Sequence, residues 1–353
     1  MTAVRHVKAW AAGVGCALLA LSGAAQAATM CVFDLVGSTG DAFNASKDYV
    51  LAMQRENVTL DLKAFPSEAR AVEEFKAGRC DALFATGMRV RQFNTVSGSI
   101  DTYGSTTIVR NGRLDINASY EVLRKLLQIY AADSPQAQAL MTQGRYEVGG
   151  VAPIGAAYLM AKDRRINSVE AMKGKRIMSL DYDPAQSFMV RRIDAVPVLT
   201  DINTVMSAFR DNRIDIIALP ALAFRPLRVE DALGPNGVIG RFPLMMLTYQ
   251  VILDRSKFPE GFGQKSRTWW LSQYDRALQL IRKAETLDVS ASLWLDPSPE
   301  ATYRYNLMVQ EGRIDMARQG IYDKRALRIM KKVRCHVNPT DNECKTRQEE
   351  DWN

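Results

Sequence analysis

The segment YEVGGVAPIGAAYLMAK, Tyr146–Lys162, is long for one strand and is broken by Gly149, Gly150, Pro153 and Gly155. Its apolar residues read as extended chain, and its interruptions suit a crossing between two folding units. A second long extended stretch, LMMLTYQVILDRSKFP (Leu244–Pro259), suits the return. The pattern predicts crossings near Gly149–Gly155 and Met245–Leu253.

Working outward, the preceding chain alternates strand and helix. CVFDLVG (31–37), VTLDLKAF (58–65) and CDALFAT (80–86) read as strands. AFNASKDYVLAMQREN (42–57) has helical spacing, and SEARAVEEFKAG (67–78) is a helix with Ser67 as cap and Gly78 beyond its end. This βαβαβ order implies a parallel sheet with helices on both faces. Between the crossings the theme repeats. INSVEAMKGKRIMSL (166–180) is a short helix then a strand, and Asp183 caps a helix with Pro184 in its first turn. A strand at VPVLT (196–200), a helix at 202–213 and a strand at 214–220 follow. Beyond the return, long helices are predicted over 264–288 and 299–312. Two α/β units joined by two crossings describe a hinged pair of lobes with a cleft between.

The N-terminus reads as an export signal. Arg5 and Lys8 precede the apolar run AWAAGVGCALLALSGAA and the small-residue site AQAA, with cleavage predicted between Ala27 and Ala28. Cys16 lies in this run without a lipobox. The expected location is the periplasm. The formal charge of +7 falls by two with the signal, and the basic residues are scattered apart from KKVRCHV, so nothing points to nucleic acid. Cys31, Cys80, Cys335 and Cys344 remain, an even number in an exported chain. Cys335 and Cys344 enclose a short polar loop and are expected to pair. Cys31 and Cys80 bridge if both begin adjacent parallel strands. Metal ligation is the alternative, but no histidine accompanies them.

No reactive constellation is legible. The two histidines are His6, in the signal, and His336, beside Cys335. A Ser–His–Asp or Cys–His site therefore has no support, and no GxSxG, HExxH or GxxxxGK[ST] motif occurs. Neither an enzyme nor a cofactor is expected.

The second unit, RRINSVEAMKGKRIMSLDYDPAQSFMVRRIDAVPVLTDINTVMSAFRDNRIDIIALP (164–220), resembles the periplasmic substrate-binding subunits of TRAP transporters (DctP-like). The order and spacing of turn, strand, helix, strand, helix and proline-terminated strand match over about 60 residues, and more loosely from Cys31 to Ala284. The stretch GRCDALFATGMRVRQFN (78–94), with FNTVSGSID after it, also resembles a narrower group of solute-binding proteins, some labelled components of multidrug efflux. The resemblance implies a two-lobed, type II-like periplasmic binding protein, α/β in class. It would close on a small anionic or polar organic solute, such as a carboxylate, and deliver it to a TRAP-type membrane permease. An envelope protein assisting an efflux complex is the alternative. The expected division is a signal at 1–27, lobe I at 28–150 plus about 236–256, lobe II and the C-terminal helices at 151–235 plus about 257–330, and a disulfide-closed tail at 331–353. A monomer is expected.

The same resemblance marks a departure. Members of that family place a ligand-clamping arginine where this chain has Met178, and a polar residue where it has Leu219, before Pro220. Arg176 substitutes only if the register shifts. Other candidates come from position, because ligands bind at the C-terminal edge of such sheets. Arg89, Arg91, Gln92 and Asn94 leave that edge after CDALFAT. One of the two arginines is the expected solute anchor, with salt bridging as the alternative, while Gln92 and Asn94 either bind or close turns. Ser38 and Thr39, between Gly37 and Gly40, offer backbone amides to an anion at a helix start, or form a simple turn. Tyr182 and Gln186 hold the matching place in the second unit, and Tyr249 lies on the return crossing, facing the cleft or the core.

Overall fold

A computed structural model describes residues 27–352, so the predicted signal lies outside the described residues except for its last position. Lobe I begins with β1 (Ala28–Phe33), α1 (Asp41–Gln54), β2 (Leu60–Phe65), α2 (Glu68–Lys76) and β3 (Ala82–Thr86). The helix breaks come where the side chains ask for them. Ser67 accepts from Arg70 N at the start of α2, and Gly78 takes a φ of +70° just past its end. The short helix α3 (Gly87–Val90) follows β3 directly, and α4 (Ile116–Tyr130) packs further out. The crossing strand β4 (Tyr146–Ala161) leads to lobe II, which comprises β5 (Arg176–Leu180), α5 (Pro184–Arg192), β6 (Val196–Thr200), α6 (Val205–Arg210) and β7 (Ile216–Leu219). The return crossing is β8 (Val238–Asp254).

All eight strands join one sheet in the order β2-β1-β3-β8-β4-β7-β5-β6. Within each lobe the three short strands are parallel, with the first in the middle. The crossings run antiparallel to each other from Tyr146 opposite Asp254 to Ala161 opposite Val238. Lobe I takes hold of this pair through β3 on the Asp254 half, and lobe II through β7 on the Ala161 half. Register shifts interrupt the ladder at Pro243 and between Leu247 and Thr248. Two glycines of β4 are required locally. Gly155 sits at φ +109°, and a Cβ on Gly150 would lie 2.1 Å from the Trp270 ring.

The helix predicted over 264–288 is two helices, α7 (Phe262–Ser272) and α8 (Tyr274–Lys283), separated at Gln273, where ψ is −1°. Helix α7, within the range expected to hold lobe II and the C-terminal helices, packs on lobe I. Trp270 stacks on Phe84 with ring centroids 4.8 Å apart, Ser266 meets the Tyr49 hydroxyl at 2.7 Å, and Arg267 donates to Glu147 at 2.6 Å. Helix α9 (Pro299–Arg318) does lie on lobe II, where Arg192 pairs with Glu311. The expected tail at 331–353 begins inside a helix, α10 (Lys324–Val337), which returns to α4 of lobe I.

Both expected disulfides are present, Cys31–Cys80 and Cys335–Cys344. Cys31 is on β1, and Cys80 stands two residues before the start of its neighbour β3. Between them the Cα–Cα distance is 5.8 Å.

Candidate functional site: the interlobe cleft

The C-terminal ends of β1, β3, β5 and β7 converge where the two lobes face each other. There the lobes form a chamber of about 140 Å³, continuous with an outer mouth of about 610 Å³. Leu35, Ile154, Pro220, Ala223 and Tyr249 line both spaces, so they form one cleft with a narrow inner end. Of the sequence candidates, Met178, Leu219, Tyr182, Gln186 and Tyr249 line the inner chamber, and Thr39 lines the mouth. Met178 and Leu219 are brought together because β5 and β7 are paired neighbours.

The chamber wall is mainly thioether and hydrocarbon. Met88, Met172, Met178, Met189, Met245 and Met308 all contribute, with Phe33, Leu180, Leu244 and Leu247 among the rest. The alternation of β8 produces part of this wall. Leu247 and Tyr249 face the chamber, while Thr248 and Gln250 turn away and bind Asp101 and the Ser97 carbonyl. Glu68 is the one charged lining residue among the described residues. Its carboxylate accepts from the Thr86 amide at 2.7 Å, the Thr86 hydroxyl at 2.6 Å, Arg89 Nε at 3.3 Å and the Tyr182 hydroxyl at 3.3 Å. Burial pushes the Glu68 carboxyl up, against the opposing pull of Thr86 and Arg89.

The arginines do not line the chamber. Residues 87–90 are helical rather than extended, which sets side chains two positions apart about 200° around the axis. Arg89 pairs with Glu68 and lies 3.3 Å from the centroid of the Tyr182 ring. Arg91 donates to Asp183 across the lobes at 2.9 Å and to the Gly98 carbonyl at 3.1 Å. Carboxylates of the chain pair with both arginines, the arrangement that the salt-bridging alternative describes. Gln92 donates to the Arg89 carbonyl, and Asn94 caps the turn at Thr95–Gly98 by accepting from Ser97 N at 2.7 Å, so both close turns. Arg176 grips Asp215 with two donors at the opposite end of β5 and takes no part.

The helix starts are also filled from within. The Asp34 carboxylate accepts from Val36 N at 3.0 Å and Phe43 N at 3.1 Å, and a Cβ on Gly40 would overlap it. The amides that serve this internal carboxylate are those of Val36 and Phe43, which flank the Gly37–Gly40 turn expected to hold an anion, while Gly40 N donates to the Gly37 carbonyl. Ser38 itself is exposed and lines neither space. At α5 the Asp183 carboxylate accepts from Ala185 N at 3.3 Å, as expected of a cap, and also pairs with Arg91. Gln186 holds Leu180 N at 2.8 Å and reaches Met88 of lobe I with its amide nitrogen.

Sequence reasoning missed Glu68, Asp101 and the wall methionines other than Met178. The one available signal was composition, since the chain carries 15 methionines. Asp101 sits behind the cleft, buried, accepting from Thr248 N at 3.0 Å and from its hydroxyl at 2.6 Å. Burial pushes its carboxyl up to about 7.

The profile of the solute-binding protein AdeT 1/2 family matches residues 52–349. The chain is similar to the probable solute-binding protein AdeT1 of Acinetobacter baumannii, 39% identical over 313 residues that cover 89% of this chain and 98% of that protein. Its fold is similar to a TRAP periplasmic solute binding protein of Rhodoferax ferrireducens with bound malonate, at TM-score 0.67 and 11% identity over 88% of this chain and 100% of the other. A TRAP periplasmic solute binding protein of Desulfovibrio salexigens with bound orotic acid gives TM-score 0.65 and 12% identity over 88% and 99%. At these identities the likeness to the solved structures concerns the two-lobed fold.

Proposed function

The chain belongs to the AdeT 1/2 family of solute-binding proteins, and from that premise we propose that it captures a small organic solute in the interlobe cleft and hands it to a TRAP-type membrane permease. Binding is reversible and involves no chemistry. The lobes part to admit the solute and close over it, bending at β4 and β8. The observation that carries this reading is the chamber with walls from both lobes and from both crossings, at the sheet edge where α/β folds bind ligands. The acids held by the structural neighbours support a solute of small organic type with a polar group. The proposed location is the periplasm, in keeping with the export signal. No helix among the described residues is long and apolar enough to cross a membrane. An efflux-assisting role has no observation in its favour, and the large exposed apolar side chains Leu51, Leu199, Leu287 and Tyr303 sit on separate elements.

The test is native mass spectrometry of protein drawn from a periplasmic extract, with identification of any released small molecule, then small-angle scattering with and without it. A bound organic compound and a smaller radius of gyration on saturation are expected. Identical scattering at saturating solute would reject closure as the mechanism.

A further inference from the structure

We infer that the inner chamber receives an uncharged, apolar group, so that the solute is amphipathic and enters with its hydrocarbon part first. This rests on the solute-binding reading and narrows the class of solute.

Seating a carboxylate takes a cation or unpaired amides. At this cleft the nearby sources of positive charge are spoken for. Arg89 is bound to Glu68, Arg91 to Asp183, Arg276 of the mouth to Asp48, the start of α1 to Asp34 and the start of α5 to Asp183. Position 178, where the family resemblance called for an arginine, holds a methionine that is 5% exposed and faces the chamber. Glu68 is itself a carboxylate, so a second one placed beside it would be repelled at short range without water to screen it. A buried anion with no partner is costly, whereas an alkyl or aromatic group gains from each methylene removed from water.

The wall chemistry fits such a guest. Methionine is unbranched and polarizable, and adapts to irregular apolar shapes. A cavity of about 140 Å³ has the size that admits a benzene ring. The polar end of the solute is placed by Tyr249, which lines both the chamber and the mouth and whose hydroxyl finds no hydrogen-bond partner among the described residues.

The experiment uses the mature chain, stripped of endogenous solute by unfolding and refolding, with its methionine methyls labelled with carbon-13. Butanol, hexanol, malonate and orotate are titrated by calorimetry and by methyl NMR. Hexanol should bind about 15-fold more tightly than butanol, about fourfold per methylene. It should move the methyl signals of Met178 and Met245, assigned by Met→Leu substitution. Met178→Arg should weaken hexanol at least tenfold. If malonate or orotate binds more tightly than hexanol and moves the same methyls, the apolar assignment is overturned while solute binding stands. If no probe binds and protein from a periplasmic extract carries no small molecule, both readings fail together.

Discussion

The Arg91 guanidinium of lobe I donates to the Asp183 carboxylate of lobe II over 2.9 Å, and Asp183 also caps α5. The segment leaving β3 thereby reaches across the cleft and fastens the first turn of the opposite lobe. Arg89 stacked on Tyr182 makes a second contact of the same kind. Both act between lobes, so they set how readily the cleft opens.

Arg91→Ala should shift the unliganded protein toward an open form. Removing one partner of a fully buried pair costs about 3–5 kcal/mol, and here part of that is relieved when Asp183 regains water on opening. Small-angle scattering should report a larger radius of gyration than the parent, with Asp183→Asn giving a smaller shift. Scattering curves that superimpose would mean the pair does not govern opening.

Arg176→Ala should leave solute binding unchanged, since Arg176 pairs with Asp215 away from the chamber and is half exposed. The expected cost in stability is under about 1 kcal/mol. A tenfold loss of affinity in calorimetry would restore the arginine to the binding site.

Asp101 gives a pH dependence of defined sign. Its carboxyl is raised to about 7 in the folded protein, by burial first, with Thr248 and Arg91 opposing and Asp183 adding to the rise. The native state therefore holds a proton that the unfolded chain releases near 4, so this group's stabilising contribution is full below about 4 and is lost as pH rises to about 7. Asp101→Asn can still meet Thr248, accepting from its amide. The variant's melting temperature should gain on the parent as pH is raised from 4 to 7, reaching an advantage of several degrees. A constant difference across that range would show that Asp101 does not titrate there.

The tail buries an ionic cluster. Glu349 accepts from Arg313 at 2.7 Å and from Arg334 at 3.0 Å, and Glu343 accepts from both arginines. Burial alone would raise the Glu343 carboxyl, but Arg334 and Arg313 outweigh it and hold it at about 2. Glu349→Ala should cost about 3–5 kcal/mol in urea unfolding, because it leaves guanidinium groups buried without one of their partners. A loss below 1 kcal/mol would mean the tail detaches freely.

The two disulfides should differ in worth. They close sequence separations of 49 and 9 residues, for which chain entropy gives about 4 and about 3 kcal/mol. Denaturant unfolding of the Cys31→Ser/Cys80→Ser and Cys335→Ser/Cys344→Ser pairs should rank in that order, and the reverse order would point to structure retained in the unfolded state.

The βαβαβ repeats were legible because each element carries its own period, and the caps at Ser67 and Asp183 because a cap is a local event. The break at Gln273 was not, since the helical pattern runs through it and the turn is imposed by packing Trp270 on Gly150. Helix α10 was hidden by its charge: Lys331 and Arg334 read as a solvated tail, yet both are buried against acidic partners and carbonyls. The position of the cleft followed from strand order. Its chemistry did not, because Arg91 and Asp183 lie 92 residues apart and nothing local announces that they meet. Met178 was noticed as a missing arginine, but the wall of methionines it belongs to is assembled from both lobes and from α9.

The ladder between β4 and β8 makes the joint a flexure rather than a pin. A pair of loose linkers would let the lobes swing at almost no elastic cost. Here the backbone that spans the joint is hydrogen-bonded into one continuous sheet, and the places where it would give are those where pairing slips, around Pro243, between Leu247 and Thr248, and between Val251 and Ile252. Such a joint has a rest angle to which it returns. The energy of departure from that angle is stored in the sheet itself, and it would be available to reopen the cleft once a receptor has drawn the solute away.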